Sequence, residues 1–185
     1  QGRFLGIARD TMEDLRHSIA AARDWPADVL VTMGGASVGD HDLVQAALAD
    51  AGMSLGFWKI AMRPGKPLMF GGLDGMLALG LPGNPASAVV CAHVFLKPLI
   101  AALLGEPEPA ADRSLPGVLG RDLPENDQRA EYMRSAIRHP REGLPVLLSG
   151  DPPIILGVVQ GAAQVPPERL VLEAEEHCAA VVDHD

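Results

Sequence analysis

Aromatic residues make up only 4% of this 185-residue chain, lysine occurs three times against twelve arginines, and cysteine occurs twice. Each scarcity excludes something. Cys91 and Cys178 stand 87 positions apart, a spacing that encodes neither a disulfide framework nor a zinc knuckle, so a reducing compartment, the cytoplasm, is expected. The longest apolar stretch, Ala86 to Leu104, is interrupted by His93, Lys97 and Pro98, short of the roughly 18 uninterrupted residues of a bilayer span. No signal peptide pattern is visible. Fifteen basic against twenty-four acidic residues give a net charge of −9, the wrong sign for a chain that binds by neutralising nucleic-acid phosphates. Neither nucleic acid nor a membrane is an expected partner. The chain opens on Gln1 and reaches a helical pattern by Thr11, as expected of an internal piece of something longer.

What is present reads as globular. Hydrophobic residues at 48% over 185 positions suffice for a core without staples. Thr11 and Asp14 have capping-box spacing ahead of Leu15, Ile19 and Ala22, which predicts a first helix ending at Trp25-Pro26. The β-branched run from Asp28 to Met33 predicts a buried strand that delivers the chain into Gly34-Gly35. Leu43, Val44, Ala47, Leu48 and Ala51 stripe a second helix over 40–51, stopped by Gly52. Leu55 to Ala61, Leu68 to Phe70 and Met76 to Leu81 read as three strands with tight connections, a hairpin among them. Asn84 as N-cap and Pro85 at the first helical position open a long helix that Pro98 should kink and Gly105 should end. The alternation predicts an α/β fold, an open, mostly parallel sheet with flanking helices.

Composition changes after Gly105. Ten of the sixteen prolines lie from Pro107 to Pro167 and no lysine follows Lys97, so the expected organisation is a domain over 1–105, a linker over 106–112 and a small β domain over 113–185. From Glu142 onward the chain holds eight acids and one arginine, and regular patterning is expected to fail after about residue 143.

Three glycine-rich corners follow or join the strands: Gly34-Gly35-Ala-Ser37-Val-Gly39, Arg63-Pro-Gly-Lys66, and Leu81-Pro-Gly83-Asn84-Pro85-Ala-Ser87. In an open α/β sheet the carboxyl ends of the strands form the ligand crevice, and two of these corners lead into helix N-termini, which favour an anion. Ordinary turns with ordinary caps are the alternative. Lys59 and Lys66 flank Arg63 in a chain that otherwise prefers arginine, which suits either a need for compact point charges or plain solvated surface. Asp42, at the start of the second helix, is either a cap or a carboxylate able to hold Mg²⁺ or act as a base. The histidines show no ligand spacing, and Cys91 reads as core. Nucleophile-elbow, Walker and Rossmann patterns are absent from the sequence.

Met33 to Asp42, Phe57-Trp-Lys-Ile-Ala-Met-Arg-Pro-Gly-Lys-Pro67 and Gly80-Leu-Pro-Gly-Asn-Pro-Ala-Ser87, in that order, resemble the signature of the molybdopterin molybdenumtransferases, the MoeA and gephyrin E-domain family. The resemblance implies a molybdopterin-binding α/β domain followed by a small β-barrel. It also implies insertion of molybdenum from molybdate into adenylylated molybdopterin, Mg²⁺-dependent release of AMP, and a homodimer in the full-length protein. Matched by motif, Asp42 closes the first block, where it serves catalysis and the metal, and Lys59, Arg63 and Lys66 are the catalytic basic positions of the second. Gly34, Gly35, Ser37 and Gly39, with Gly83, Asn84, Pro85 and Ser87, match substrate-binding glycine loops. Arg129 and Arg134, in Arg129-Ala-Glu-Tyr-Met-Arg134, match a barrel strand that contacts the anionic substrate.

Members of that family carry, ahead of this region, two further domains and an acidic T-G-[DE]-E-L-type loop. This sequence lacks them, so by itself the chain is expected to be inactive. A non-catalytic pterin-binding or scaffold module, and a related α/β enzyme acting on another nucleotide or pterin, are the competing expectations.

Overall fold

The computed structural model describes residues 1–34, 43–111 and 129–132, together with the backbone of five further strands within 114–173. The chain divides into two compact units, Gln1–Ile60 with Pro64–Pro107, and Ala61–Arg63 with Glu108–Asp185.

In the first unit, α1 (Met12–Asp24) begins as the sequence predicts: the Thr11 hydroxyl accepts from the Asp14 N–H at 3.3 Å. The reciprocal arm of the capping box differs. Asp14 turns its carboxylate to Arg9, accepting from Nε at 2.6 Å, and the Thr11 N–H goes to the Arg9 carbonyl at 2.7 Å. Strand β1 (Val29–Met33) follows, then α2 (Leu43–Asp50), which buries Val44, Ala47 and Leu48. Gly52 (φ 90°) ends α2 in a Schellman motif, with Gly52 N–H to the Ala49 carbonyl and Met53 N–H to the Leu48 carbonyl, both 2.9 Å.

Strands β2 (Ser54–Trp58), β4 (Met69–Leu73) and β5 (Met76–Leu81) join β1 in one sheet of order β1-β5-β4-β2. Only β1 and β5 run parallel, so the sheet is mixed rather than mostly parallel. The reason lies in the connections: β4 and β5 are too close in sequence for a crossover and meet through the two-residue turn Asp74-Gly75. Both turn residues have positive φ, 50° and 84°, the type I′ geometry that Asp-Gly favours. Gly71 and Gly72, read as connection, are strand residues.

One face of the sheet packs Leu30, Met69, Leu73, Met76 and Ala78 against Ile19 and Ala22 of α1 and Val44, Ala47 and Leu48 of α2. Leu79 and Leu81 point to the other face and are also buried, which explains the nearly continuous apolar run of β5. There α3 (Pro85–Cys91) packs on β5. Its Asn84 cap is the predicted one, accepting from the Ser87 N–H at 3.1 Å.

At Pro98 the helix widens rather than breaks. A π turn over Ala92–Leu96 precedes α4 (Lys97–Leu103), because Pro98 has no N–H to offer the preceding turn. The whole helical span, Pro85–Leu103, is long and apolar enough to cross a membrane by length and composition alone. Its early residues Ala88, Val90 and Cys91 are core, while Val89, Ile100 and Leu103 are exposed.

The second unit borrows three residues from the middle of the first. Strand β3 (Met62–Arg63), which the sequence reading leaves at the junction of the Leu55–Ala61 run and the basic connection that starts at Arg63, pairs in parallel with β7 (Ala130–Glu131). A five-stranded sheet of order β10-β11-β6-β9-β8 completes the unit, from β6 (Ser114–Leu119), β8 (Ser135–Arg138), β9 (Val146–Ser149), β10 (Val158–Val159) and β11 (Leu170–Glu173). Three of these strands fall after residue 143, where the sequence reading expects irregularity. Each coincides with a short run of Val and Leu, and the density of acids and prolines around them hides that signal.

Candidate functional site

Strand register brings three of the predicted corners to one end of the first unit's sheet. Met33 pairs with Leu81, Gly80 with Met69, and Met69 with Trp58. The carboxyl ends of β1, β5 and β2 and the amino end of β4 therefore coincide, and the connections that leave or enter there share that edge. Gly34 leaves β1 with φ 83° and donates to the Leu81 carbonyl at 3.2 Å. Gly83 leaves β5 so close by that a Cβ on it would lie 3.2 Å from the Gly34 Cα, so the two glycine corners meet backbone to backbone. Glycine is required there by contact, not by habit.

Two strands away, the basic connection is held by backbone. The Lys59 N–H donates to the Leu68 carbonyl at 3.1 Å and the Ile60 N–H to the Lys66 carbonyl at 2.9 Å. These bonds extend the β2–β4 ladder past its last pair and bring Lys59 and Lys66, seven positions apart in sequence, to the same sheet end. Neighbouring strands lie about 4.8 Å apart, which sets this basic pair roughly 10 Å across the sheet end from the Gly83 corner. Lys59 has φ 62°, a left-handed conformation that costs a side-chain-bearing residue about 1–2 kcal/mol. Its ammonium lies 3.9 Å from the centroid of the Trp58 indole.

The charges differ in their commitments. Arg9, Arg16, Arg23 and Arg63 are each paired with a carboxylate, whereas Lys59 and Lys66 form no salt bridge among the described residues. Sequence groups Arg63 with these lysines, yet the structure assigns it to the second unit, where Nε donates to Glu131 Oε1 at 2.9 Å. Glu131 is the acid of the Arg129–Arg134 motif, so that motif's carboxylate is engaged with Arg63. Arg129 is half-buried, and Arg134 lies outside the described residues.

At the third corner, capping wins much of what was offered to an anion. Pro85 has no N–H, the Asn84 side chain takes the Ser87 N–H, and the Asn84 carbonyl takes the Ala88 N–H at 2.8 Å. Ala86 is the first-turn N–H left over, and beside it the Ser87 hydroxyl donates to Asn84 Oδ1 at 3.4 Å. Gly35, Ser37, Gly39 and Asp42 lie outside the described residues. Among the described residues no three His, Cys, Asp or Glu side chains gather as metal ligands. Asp42, the residue expected to hold Mg²⁺, is not one of the described residues. Cys91 is fully buried, and burial pushes its thiol up to about 11, as befits a core residue rather than a nucleophile.

Sequence reasoning missed two features. The spacing gives no sign that residues 61–63 leave for the second unit, and the strained backbone of Lys59 has no local signature. The Trp-Lys dipeptide at the end of an apolar run was the available clue to their stacking.

Residues 3–102 match the family described as "probable molybdopterin binding domain". The molybdopterin molybdenumtransferase of Haemophilus influenzae is 43% identical over 102 residues, covering 55% of this chain and 25% of that protein. Its Bacillus subtilis counterpart is 33% identical over 138 residues, covering 74% and 31% respectively. A crystal structure of a molybdopterin biosynthesis MoeA protein from Pyrococcus horikoshii superposes with a TM-score of 0.61 at 26% identity, covering 81% of this chain and 35% of that one. The chain thus spans between a quarter and a third of the length of these curated relatives. With more than half its length inside the matched region, this chain belongs to the molybdopterin-binding domain family, and its relatives are molybdopterin molybdenumtransferases.

Proposed function

We propose that this chain forms the pterin-binding and anion-attracting wall of a molybdopterin molybdenumtransferase, acting in molybdenum cofactor biosynthesis in the cytoplasm. The reaction it serves is insertion of molybdenum from molybdate into adenylylated molybdopterin with release of AMP, in a protein that is a homodimer at full length. The observation that carries the reading is the pair Lys59 and Lys66, without salt-bridge partners among the described residues, at the sheet end where the Gly34 and Gly83 turns meet.

In this reading the lysines draw the ligand in and neutralise its phosphate charge, work that the net charge of −9 opposes over the chain as a whole. The two glycine turns let a planar pterin or its phosphate approach the backbone, and the Ala86 N–H and Ser87 hydroxyl give direction to the contact. Asp42, Arg129 and Arg134 keep the roles that the motif resemblance gives them, Asp42 toward the metal and the arginines toward the anion. Arg63, engaged with Glu131, orders the β3–β7 strand pair.

Calorimetric titration of the chain with molybdopterin at low and high salt tests this. Binding should weaken clearly with salt, because exposed charges are screened. Mixed with molybdate and Mg²⁺, the 185 residues alone should release no AMP above the buffer rate, and covalent extension with the upstream domains of a full-length relative should restore release. Salt-independent binding, or binding indifferent to both lysines, would place the ligand elsewhere.

A further inference from the structure

Trp58 and Lys59 are consecutive, and in a regular strand their side chains would leave opposite faces of the sheet. Here β2 ends at Trp58, and the left-handed backbone of Lys59 breaks the alternation, so that both side chains come to one side. The Lys59 ammonium lies over the indole, 3.9 Å from the ring centroid. The ring beneath it is held in place by the core: Trp58 packs against the cluster of α1, α2 and the sheet, and its buried Nε1 has no hydrogen-bond partner among the described residues. A neighbouring irregularity helps, since the register of β2 shifts between Leu55 and Phe57, and such shifts bend a strand and re-aim the residues beyond them.

An ammonium on a ring face keeps N–H donors on its far side, free for an anion. Building on the anion-site reading above, we propose that Trp58 is a positioning residue for Lys59: a rigid indole platform that holds the ammonium at the sheet end before a phosphate-bearing ligand arrives and lies beneath it afterwards. A lysine stem otherwise gives up much of its rotamer freedom on binding. The platform removes part of that loss in advance, which is the general route by which preorganisation raises affinity. The left-handed backbone is the device that puts the ammonium on the ring, and neither feature would suffice alone.

The chain carries two tryptophans, so Trp25→Phe leaves Trp58 as the sole indole emitter. In the ligand-free protein, Lys59→Met in that background should lower the iodide quenching constant of Trp58 by about twofold, because the ammonium concentrates iodide at the ring. Quenching by neutral acrylamide should stay as it was. With inorganic phosphate as the calorimetric probe on the full chain, Trp58→Leu should bind roughly three- to fivefold more weakly, the worth of an exposed cation–π contact. Trp58→Phe should recover most of that loss. An iodide constant unmoved by Lys59→Met overturns the proposal, as does wild-type phosphate affinity in Trp58→Leu. The iodide measurement reads an intact Trp58, so it decides the matter even where Trp58→Leu fails to fold. Phosphate binding without the iodide contrast removes the positioning role alone, whereas the contrast without any phosphate binding by the wild type removes the anion site and the proposal together.

Discussion

Among the described residues of the first unit, two that are not glycine have left-handed backbone, and they stand at opposite ends of one sheet. Asp74 (φ 50°) begins the two-residue turn of the β4–β5 hairpin, and Lys59 (φ 62°) ends β2. At Asp74 the conformation is what the turn requires, aspartate tolerates it, Gly75 completes it, and Arg23 pairs with the carboxylate while also donating to the Ala51 carbonyl. Lys59 is not a residue type that tolerates it, and among the described residues its ammonium forms no salt bridge. The same backbone state is local chemistry at one end of the sheet and an imposed position at the other. Strain without a local reason is what singles out the second end as the candidate site.

The sharpest way to break this comparison is to remove charge. Lys59→Ala or Lys66→Ala should cost about 1.5–3 kcal/mol of molybdopterin or phosphate binding, the range for hydrogen bonds to charged groups, with little change in melting temperature. Asp74→Ala should do the reverse, lowering stability while leaving the affinity alone. Calorimetry and thermal denaturation on the same three variants separate the ends, and a binding loss in Asp74→Ala equal to that in the lysine variants would merge them.

Helix α3 offers a second contrast, since it starts at the site and finishes in the core. With its thiol pushed up to about 11, Cys91 stays protonated in the folded chain where an unfolded thiol, near 8.5, has ionised. Between those values the unfolded chain binds fewer protons, so stability should fall as pH rises through roughly 9 to 11, by up to about 1.4 kcal/mol per pH unit. Denaturant midpoints in a Cys178→Ser background should show this slope, and Cys91→Ala should flatten it. A flat alkaline limb with Cys91 present would mean the thiol is not held in the core.

The meeting of the two glycine corners can be probed by adding one carbon. A Cβ at Gly83 would lie 3.2 Å from the Gly34 Cα, backbone against backbone, whereas at Gly72 it would meet nothing within 4 Å. Gly83→Ala should therefore destabilise the chain by about 1 kcal/mol and weaken the anion site together, since overpacking forces backbone to shift. Gly72→Ala, on a strand with open space, should instead stabilise by about 0.5 kcal/mol. Equal behaviour of the two would deny the contact at the site end.

How much of this was legible in the sequence depends on whether the cause was local. Asp74-Gly75, Asn84-Pro85 and Gly52 each carry their own geometry, and the structure uses each as a turn, a cap and a Schellman stop. Thr11 and Asp14 were half legible, because an arginine five residues before Asp14 outbid the backbone for its carboxylate. Nothing local distinguishes Met62-Arg63 from the run before it, since its partner, Ala130-Glu131, is 68 positions away. The glycine corners and lysines were found as separate candidates, but that they share an edge follows only from strand register.

The smallest expected effect is also the most direct test of the two left-handed residues, because it turns on sign. Lys59→Gly is compared with Lys59→Ala, since both lose the contact with Trp58. It removes a left-handed penalty of about 1–2 kcal/mol and adds the backbone entropy of glycine, about 0.5–1 kcal/mol, so it should be the more stable of the two by about 0.5–1 kcal/mol while anion affinity is lost in both. Asp74→Gly removes little strain, because aspartate suits the turn. It loses the Arg23 pair, which is largely exposed and so contributes about 0.5 kcal/mol or less, and it adds the same glycine entropy. That variant should therefore be slightly less stable, by about 1 kcal/mol or less, with its ligand binding intact. Denaturant unfolding of each glycine variant against its reference, Lys59→Ala for the one and the wild type for the other, reads the difference in sign without relying on either magnitude. Stabilisation at both positions would mean that Asp74 is strained too and that strain does not single out the site; destabilisation at both would mean that Lys59 rests in a conformation its surroundings already favour.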